Sequence, residues 1–266
     1  FTSNYPLKEI DSIVLENFVL SKELLQLGKY LKQVTLCSLI SAFNTMLPSS
    51  LKIEKNHDYS KYKTYLELTK SPLEVETYLS QTKYSKQIEI LTTLLDGKNV
   101  IKNKDNAGSV KTLISKGLVK EVKKQVYRLN YDSESLEEKP KMSEEQTTAV
   151  EMVDVNNYQT YLLYGITGSG KTEVYMNLIE KVSNLKKSSL LLVPEISLTT
   201  QMIERIYKRF GSKVAIFHSG LSNGEKYDEY QKIYNGEVSI VVGTRSAIFT
   251  PLKNIGLIIL DEEHSS

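Results

Sequence analysis

The sequence is poor in the residues that build covalent or metal-held scaffolds. Its 266 residues include one cysteine, Cys37, and three histidines. A single thiol excludes an internal disulfide and any zinc site made of cysteines, and it fits a reducing compartment. Long apolar runs are absent too. None approaches the roughly 20 residues a membrane-spanning helix needs, and the opening residues do not read as a signal peptide. The chain opens on Phe1 rather than methionine and closes on "DEEHSS", so it reads as part of something longer.

What remains is 40% hydrophobic and 25% charged, ordinary for a globular protein, with length enough for two or more domains. The formal net charge of +2 hides an asymmetry. Residues 1–142 carry 22 Lys/Arg against 17 Asp/Glu, whereas residues 143–266 carry 12 against 15. Residues 83–128 alone hold 11 basic and 4 acidic side chains. That excess suits an anionic partner such as nucleic acid, with Lys120, Lys123 and Lys124 the residues to test. A solvated lysine-rich face is the plainer alternative.

Apolar spacing divides the chain. Residues 9–47 read as helical: Leu24, Leu27 and Leu31 fall at helical intervals, and Leu36, Leu39, Ile40 and Phe43 continue the stripe. "YKTYLEL" has strand composition. "SKQIEILTTLL" predicts an amphipathic helix with Ile88, Leu91, Leu94 and Leu95 on one side, and "NAGSVKTLISKG" a second helix stopping at Gly117. "LVKEVKKQVYRLNY" alternates like a hairpin strand. Helices followed by a basic β-ribbon suggest a winged helix over residues 53–132; a plain small α+β domain is the other reading. Residues 133–142 have linker composition. Beyond them short apolar strands alternate with helices: "QTYLLYGI", helix 171–184, "SSLLLVPEI", helix 199–210, "KVAIFH", helix 224–235, "VSIVVGT" and "IGLIILDEE". That alternation predicts a parallel sheet covered on both faces.

The chemistry gathers at "GITGSGKT". Gly165, Ile166, Thr167, Gly168, Ser169, Gly170, Lys171 and Thr172 satisfy G-x-x-x-x-G-K-[ST] between a predicted strand and a predicted helix. Glycines let successive N–H groups turn inward, and the helix N-terminus adds its positive end, so the stretch forms an anion socket. Lys171 supplies a mobile cation for β- and γ-phosphates, and Thr172 a hydroxyl for Mg²⁺. "LIILDEEH" then ends an apolar strand in Asp261 and Glu262. The first acid suits Mg²⁺ held through water, the second the activation of an attacking water. Together they predict nucleoside triphosphate hydrolysis.

These stretches carry a resemblance. "GITGSGKTEVY", "LLVPEISLTTQ", "FHSGLS", "IVVGTRSAIFTP" and "IGLIILDEEH", in this order, closely resemble the replication-restart helicases of the primosome, within helicase superfamily 2. The likeness covers roughly residues 140–264 and is weaker over 1–135. It implies a RecA-like P-loop lobe over 143–266, truncated after motif II. Before it would stand a winged helix and, over residues 1–52, the helical end of a 3′-DNA-end-binding domain. It further implies ATP at Gly165–Thr172, Mg²⁺ on Thr172 and Asp261, Glu262 as the water-activating base, and His264 coupling hydrolysis to DNA. Pro194, Ser197 and Leu198 match motif Ia; Gly243, Thr244, Arg245 and Ser246 match Ib. Such loops hold the backbone of single-stranded DNA without reading bases. Gln146 is either an adenine reader or the capping-box partner of Ser143.

The implied protein is a 3′→5′ DNA helicase acting on branched DNA at stalled forks, bacterial, cytoplasmic and nucleoid-associated. Single-stranded DNA-binding protein and primosome loader proteins would be its partners, with no membrane. The family's zinc ligands and second lobe are missing, so weak or absent activity is expected of this stretch alone. A DNA-binding module with a regulatory, non-motor ATP switch is the alternative; a small-molecule phosphotransferase fits "DEEH" and "GTRS" poorly. Cys37 reads as a core thiol, His57 as solvated and His218 as structural or DNA-contacting. Tyr59, Tyr62 and Tyr65 read as a stacking platform or ordinary strand aromatics, and Tyr164 and Tyr175 as core residues.

Overall fold

The computed structural model describes residues 20–51, 59–129, 139–166 and 168–262. They fall into two compact units, one of residues 58–129 and one combining the residues before and after it.

The first described elements are helices α1 (Lys22–Thr35) and α2 (Leu39–Met46), each opened by a serine whose side chain accepts a backbone N–H, Ser21 from Leu24 and Ser38 from Ser41. No continuous stripe joins them. Leu36 takes a left-handed turn (φ 55°) and is 91% exposed, so α2 starts on a new axis and buries Ala42 and Met46 instead of Ile40. Cys37 lies in that turn and is only half-buried. The expected helix over residues 9–19 and the polar His57 lie outside the described residues.

Residues 59–129 form strand β1 (Tyr62–Leu68), helices α3 (Pro72–Gln81) and α4 (Ser85–Leu95), a short strand β2 (Val100–Ile101), helix α5 (Ala107–Ser115) and strand β3 (Val119–Gln125). The sheet is antiparallel with order β2-β1-β3. The anticipated hairpin is therefore replaced by a long-range pair: β3 zips onto β1, with Lys120 opposite Glu67 and Lys124 opposite Lys63. Leu66, Val75, Ile90, Leu91, Val110, Leu113, Leu118 and Val119 make its core. Ile88 does not join them; α4 turns Gln87, Ile90 and Leu91 inward, and the Tyr78 hydroxyl satisfies the buried Gln87 amide oxygen at 2.7 Å.

The remaining residues build a parallel α/β layer: α6 (Glu144–Met152), α7 (Lys171–Asn184), β4 (Ser188–Leu192), α8 (Thr200–Phe210), β5 (Val214–Phe217), α9 (Asn223–Asn235), β6 (Ile240–Gly243) and β7 (Ile255–Leu260). Strand order is β5-β6-β4-β7, all parallel. Helices α7 and α8 pack on one face through Met176, Ile179, Ile203 and Ile206 against Leu191, Ile216, Val242 and Ile259. On the other face α9 brings Tyr230 and Ile233 to Ala215, Phe217 and Val241, and Leu51 packs there as well. Cover on this second face stops short of β7, where Ile258 is 53% and Leu260 61% exposed.

The stretch "QTYLLYGI" is not a strand. Among the described residues, 159–166 pair with no strand, and Leu162 and Tyr164 are largely exposed. Apolar composition makes a strand only where a neighbouring edge takes its N–H and C=O groups. Tyr164 is accordingly not a core residue.

Candidate nucleotide and nucleic-acid site

Parallel strands place the loops that follow them on one edge of the sheet, the usual location of a ligand in this architecture. Leu192 of β4 is in register with Gly243 of β6 and Leu260 of β7, and Gly243 with Phe217 of β5. The segments 193–199, 218–222, 244–250 and 261–262 therefore leave the sheet together. Backbone bonds lock the edge: Val193 N donates to Gly243 O at 2.9 Å, Thr244 N to Phe217 O at 3.1 Å and Asp261 N to Leu192 O at 2.9 Å.

The glycine-rich loop arrives at this edge through α7. Gly168 and Gly170 have φ values of 81° and 80°, the left-handed region in which a side chain is strained, and Gly170 is the N-cap of α7. Ser169 N donates to Ile166 O at 3.2 Å. Lys171 folds back over the loop, its Nζ donating to the carbonyls of Gly165 (2.7 Å) and Ile166 (3.1 Å). Thr172 follows in the first helical turn, half-buried. Thr167 lies outside the described residues.

Gln146 makes the capping-box contact expected of it and one contact that neither reading named. It completes the capping box with Ser143, whose N donates to Gln146 Oε1 at 3.0 Å, and its Nε2 donates to Ser169 O at 3.2 Å. Helix α6 is thereby fastened to the phosphate loop. Lys181 secures its far end through the carbonyls of Val150 (3.2 Å) and Val153 (2.8 Å).

Asp261 meets the same helix. The hydroxyl of Tyr175, one turn beyond Lys171 and 6% exposed, donates to Asp261 Oδ1 at 3.0 Å. Burial, then the Asp261 and Glu262 carboxylates, push the Tyr175 hydroxyl well above its usual range, so it remains a proton donor. Asp261 Oδ2 keeps no protein partner among the described residues. Glu262 follows, exposed and left-handed (φ 48°). His264 lies outside the described residues. Tyr175 is thus a core residue with a polar task, legible only as the residue four places after Lys171 and so on its helix face.

The two loops expected to hold a strand follow β4, the neighbour of β7, and β6 beyond it. After β4, Ser197 N and Leu198 N both donate to Pro194 O, at 3.0 and 3.2 Å, closing a turn before Thr199 caps α8. After β6, Arg245 and Ser246 are exposed, while Gly243 and Thr244 are buried. Gly243 belongs to the sheet: a Cβ there would stand 2.1 Å from Phe217 O. Two further contacts escaped sequence reading. Ser219 donates to Glu195 Oε1 at 2.7 Å, bridging the β5 and β4 loops. Glu173 carries two arginines of α8.

The described lysines of residues 59–129 do not form one surface. Lys120 and Lys124 share the outer face of the sheet and both reach Glu67, at 3.4 and 3.0 Å, while Lys123 lies on the opposite face. Hydrogen bonds from Lys124, then Lys120, hold Glu67 below its usual range. Lys124 also stands 5.7 Å from the centre of the Tyr65 ring. Among the described residues no group of three His, Cys, Asp or Glu is disposed to bind a metal, and no helix is long and apolar enough to cross a membrane.

A loop of positive-φ glycines opening a helix, with an acid-tipped strand tied to that helix, defines a P-loop domain, and comparison with known families assigns its class. Residues 143–266 match the DEAD/DEAH box helicases. Residues 2–48 match a second family, the 3'DNA-binding domain (3'BD). The replication restart protein PriA of Bacillus subtilis (strain 168) is 50% identical over 171 residues, 62% of this chain and 21% of that protein. PriA of Chlamydia muridarum is 33% identical over 273 residues, 97% of this chain and 36% of that protein. The chain belongs to the PriA replication-restart family, and it spans little more than a third of these relatives at most.

Proposed function

We propose that this chain carries the nucleotide-binding lobe and DNA-binding parts of an ATP-dependent 3′→5′ helicase that recognises branched DNA at stalled forks and initiates primosome assembly. The observation that carries the reading is the Tyr175–Asp261 bond, which ties the acid-bearing end of β7 to the helix that opens with Lys171 and Thr172. In this reading the amides of Gly165–Thr172 and the positive end of α7 grip the triphosphate, Lys171 leaving its two carbonyl acceptors for phosphate oxygens. Thr172 and Asp261 would hold Mg²⁺, which when bound neutralises phosphate charge. Glu262 takes the proton of the attacking water, and Gln146, already turned to the loop, reads adenine.

Pro194, Ser197, Leu198, Thr244, Arg245 and Ser246 hold the backbone of the tracked strand from loops that share one sheet edge. Residues 53–132 act as a winged helix and residues 1–52 as the end of the 3′-end-binding domain, joined by a linker at 133–142 to the lobe at 143–266. Single-stranded DNA-binding protein and primosome loader proteins are the protein partners, in the bacterial cytoplasm at the nucleoid. Zinc is proposed for the intact family member and not for this chain, which has one cysteine. The same loop serves a second reading, a DNA-binding module in which ATP is a switch rather than a fuel.

ATP hydrolysis by the full-length protein, with and without forked DNA, separates the two. The motor reading expects at least about a tenfold stimulation, within the usual span of coupling between sites, and its loss in Lys171→Ala. A rate indifferent to forked DNA refutes it.

A further inference from the structure

Glu173 follows Lys171 and Thr172 in the first turn of α7, yet its side chain is only 6% exposed. Both carboxylate oxygens are used. Oε2 accepts from Arg205 Nη2 at 2.9 Å; Oε1 accepts from Arg209 Nη1 at 2.8 Å and from Asn177 Nδ2 at 3.0 Å. Arg209 is itself 7% exposed, and its Nη2 reaches Asn177 Oδ1 at 3.3 Å and Glu180 Oε2 at 3.6 Å. Arg205 and Arg209 are one turn apart on α8, so a single acid holds two successive steps of the neighbouring helix.

Stability alone does not call for this arrangement. Apolar side chains of similar volume usually serve a helix interface at least as well as buried charges, because desolvation cancels much of the attraction. What these guanidinium groups supply is orientation: the planar fork of Arg209 divides between Glu173 Oε1 and Asn177 Oδ1 and Arg205 adds a bond to Oε2, so the two helices cannot slide or rotate without breaking them. The helices in question begin at the two candidate sites. α7 begins at the phosphate loop. α8 begins at Thr199, immediately after the turn of Pro194, Ser197 and Leu198.

We propose that Glu173, through Arg205 and Arg209, is a positioning residue that couples the phosphate loop to the strand-holding loop after β4. It touches neither ligand. A shift of the α7 N-terminus on filling the loop is passed to α8 as a rigid-body movement, and by linkage a strand seated on the β4 loop acts back on the nucleotide by the same factor. The inference rests on the helicase reading above.

The test uses the full-length protein and the variants Glu173→Gln and Arg205→Gln, with nucleotide affinity in the absence and presence of forked DNA, basal ATPase, forked-DNA-stimulated ATPase and melting temperature measured for each. Arg205 is 43% exposed, so its replacement keeps α8 folded even if Glu173→Gln, which strands the buried Arg209, does not. Both variants should bind a fluorescent nucleotide within about threefold of the parent, while the coupling factor between nucleotide and DNA, about 5–150 for typical allosteric pairs, falls towards 1. The double variant should lose no more than the single ones. Retention of the parent's stimulation by Arg205→Gln overturns the proposal, as does a parallel fall of basal and stimulated rates with melting temperature. A parent that DNA does not stimulate overturns the helicase reading first, and the coupling with it.

Discussion

Gly170→Ala separates backbone strain from crowding at the phosphate loop. Gly170 has φ 80°, and an alanine there costs about 1–2 kcal/mol for left-handed backbone. Its Cβ would also stand 2.3 Å from Gln146 Nε2. That amide is the far end of a flexible side chain, so it swings away and gives up its bond to Ser169 O, at about 0.5–1.5 kcal/mol. The sum, about 1.5–3.5 kcal/mol, corresponds to about a 13- to 370-fold loss of nucleotide affinity if the free variant loop relaxes and must regain this conformation to bind. Gly168 supplies the control. Its φ is 81° with no heavy atom within 4 Å of the added Cβ, so Gly168→Ala pays strain alone and should lose about 5- to 30-fold. In a Gln146→Ala background, Gly170→Ala should then match Gly168→Ala, each measured against its own parent by fluorescent-nucleotide titration. Equal damage from both alanines in the parent, or Gly170→Ala binding within about twofold of the parent, where these terms predict tens, refutes the reasoning.

At Gly243 the obstacle is backbone, since a Cβ would meet Phe217 O at 2.1 Å and Ala247 Cβ at 2.7 Å. Gly243→Ala should therefore part β6 from β5 at about 3 kcal/mol, seen as a melting transition of the lobe lowered by about 10 °C; an unchanged melt refutes the assigned close approach. On the outer face of residues 59–129, reversing Lys120 and Lys124 to Glu should weaken DNA binding and reduce its salt slope by about 2. Lys123→Glu, on the opposite face, should do less. Unaltered affinity of the Lys120/Lys124 variant at about 50 mM salt returns that face to a solvated role.

Much of the fold was legible because its signals are local. The 3.6-residue period marked α7, α8 and α9, short apolar runs marked β4, β6 and β7, and Ser143 announced the start of α6 through its capping box. The candidate phosphate loop and the acids of β7 were equally plain, since each is a spacing rule within eight residues. The misreadings have a common cause. "QTYLLYGI" has the composition of a strand but no partner edge, and the stripe through Leu36 and Ile40 breaks at a left-handed turn. β3 alternates like a hairpin arm, yet its partner is β1, more than fifty residues upstream.

Sequence by itself therefore determined most of the element types, the alternation of strand and helix, and the residue pattern of the loop and its acids. These depend on periodicity and on backbone freedom at named residues. Tertiary structure alone decided that Tyr175 holds Asp261, that Gln146 braces Ser169, that Gly243 serves the sheet, and that Glu173 is buried between two arginines. Each of those outcomes is a hydrogen bond, an ion pair or a steric limit between groups distant along the chain, with the Gln146 contact exposed and the Glu173–Arg209 pair buried. None exists until the fold brings its partners together, and burial then strengthens those from which water is removed.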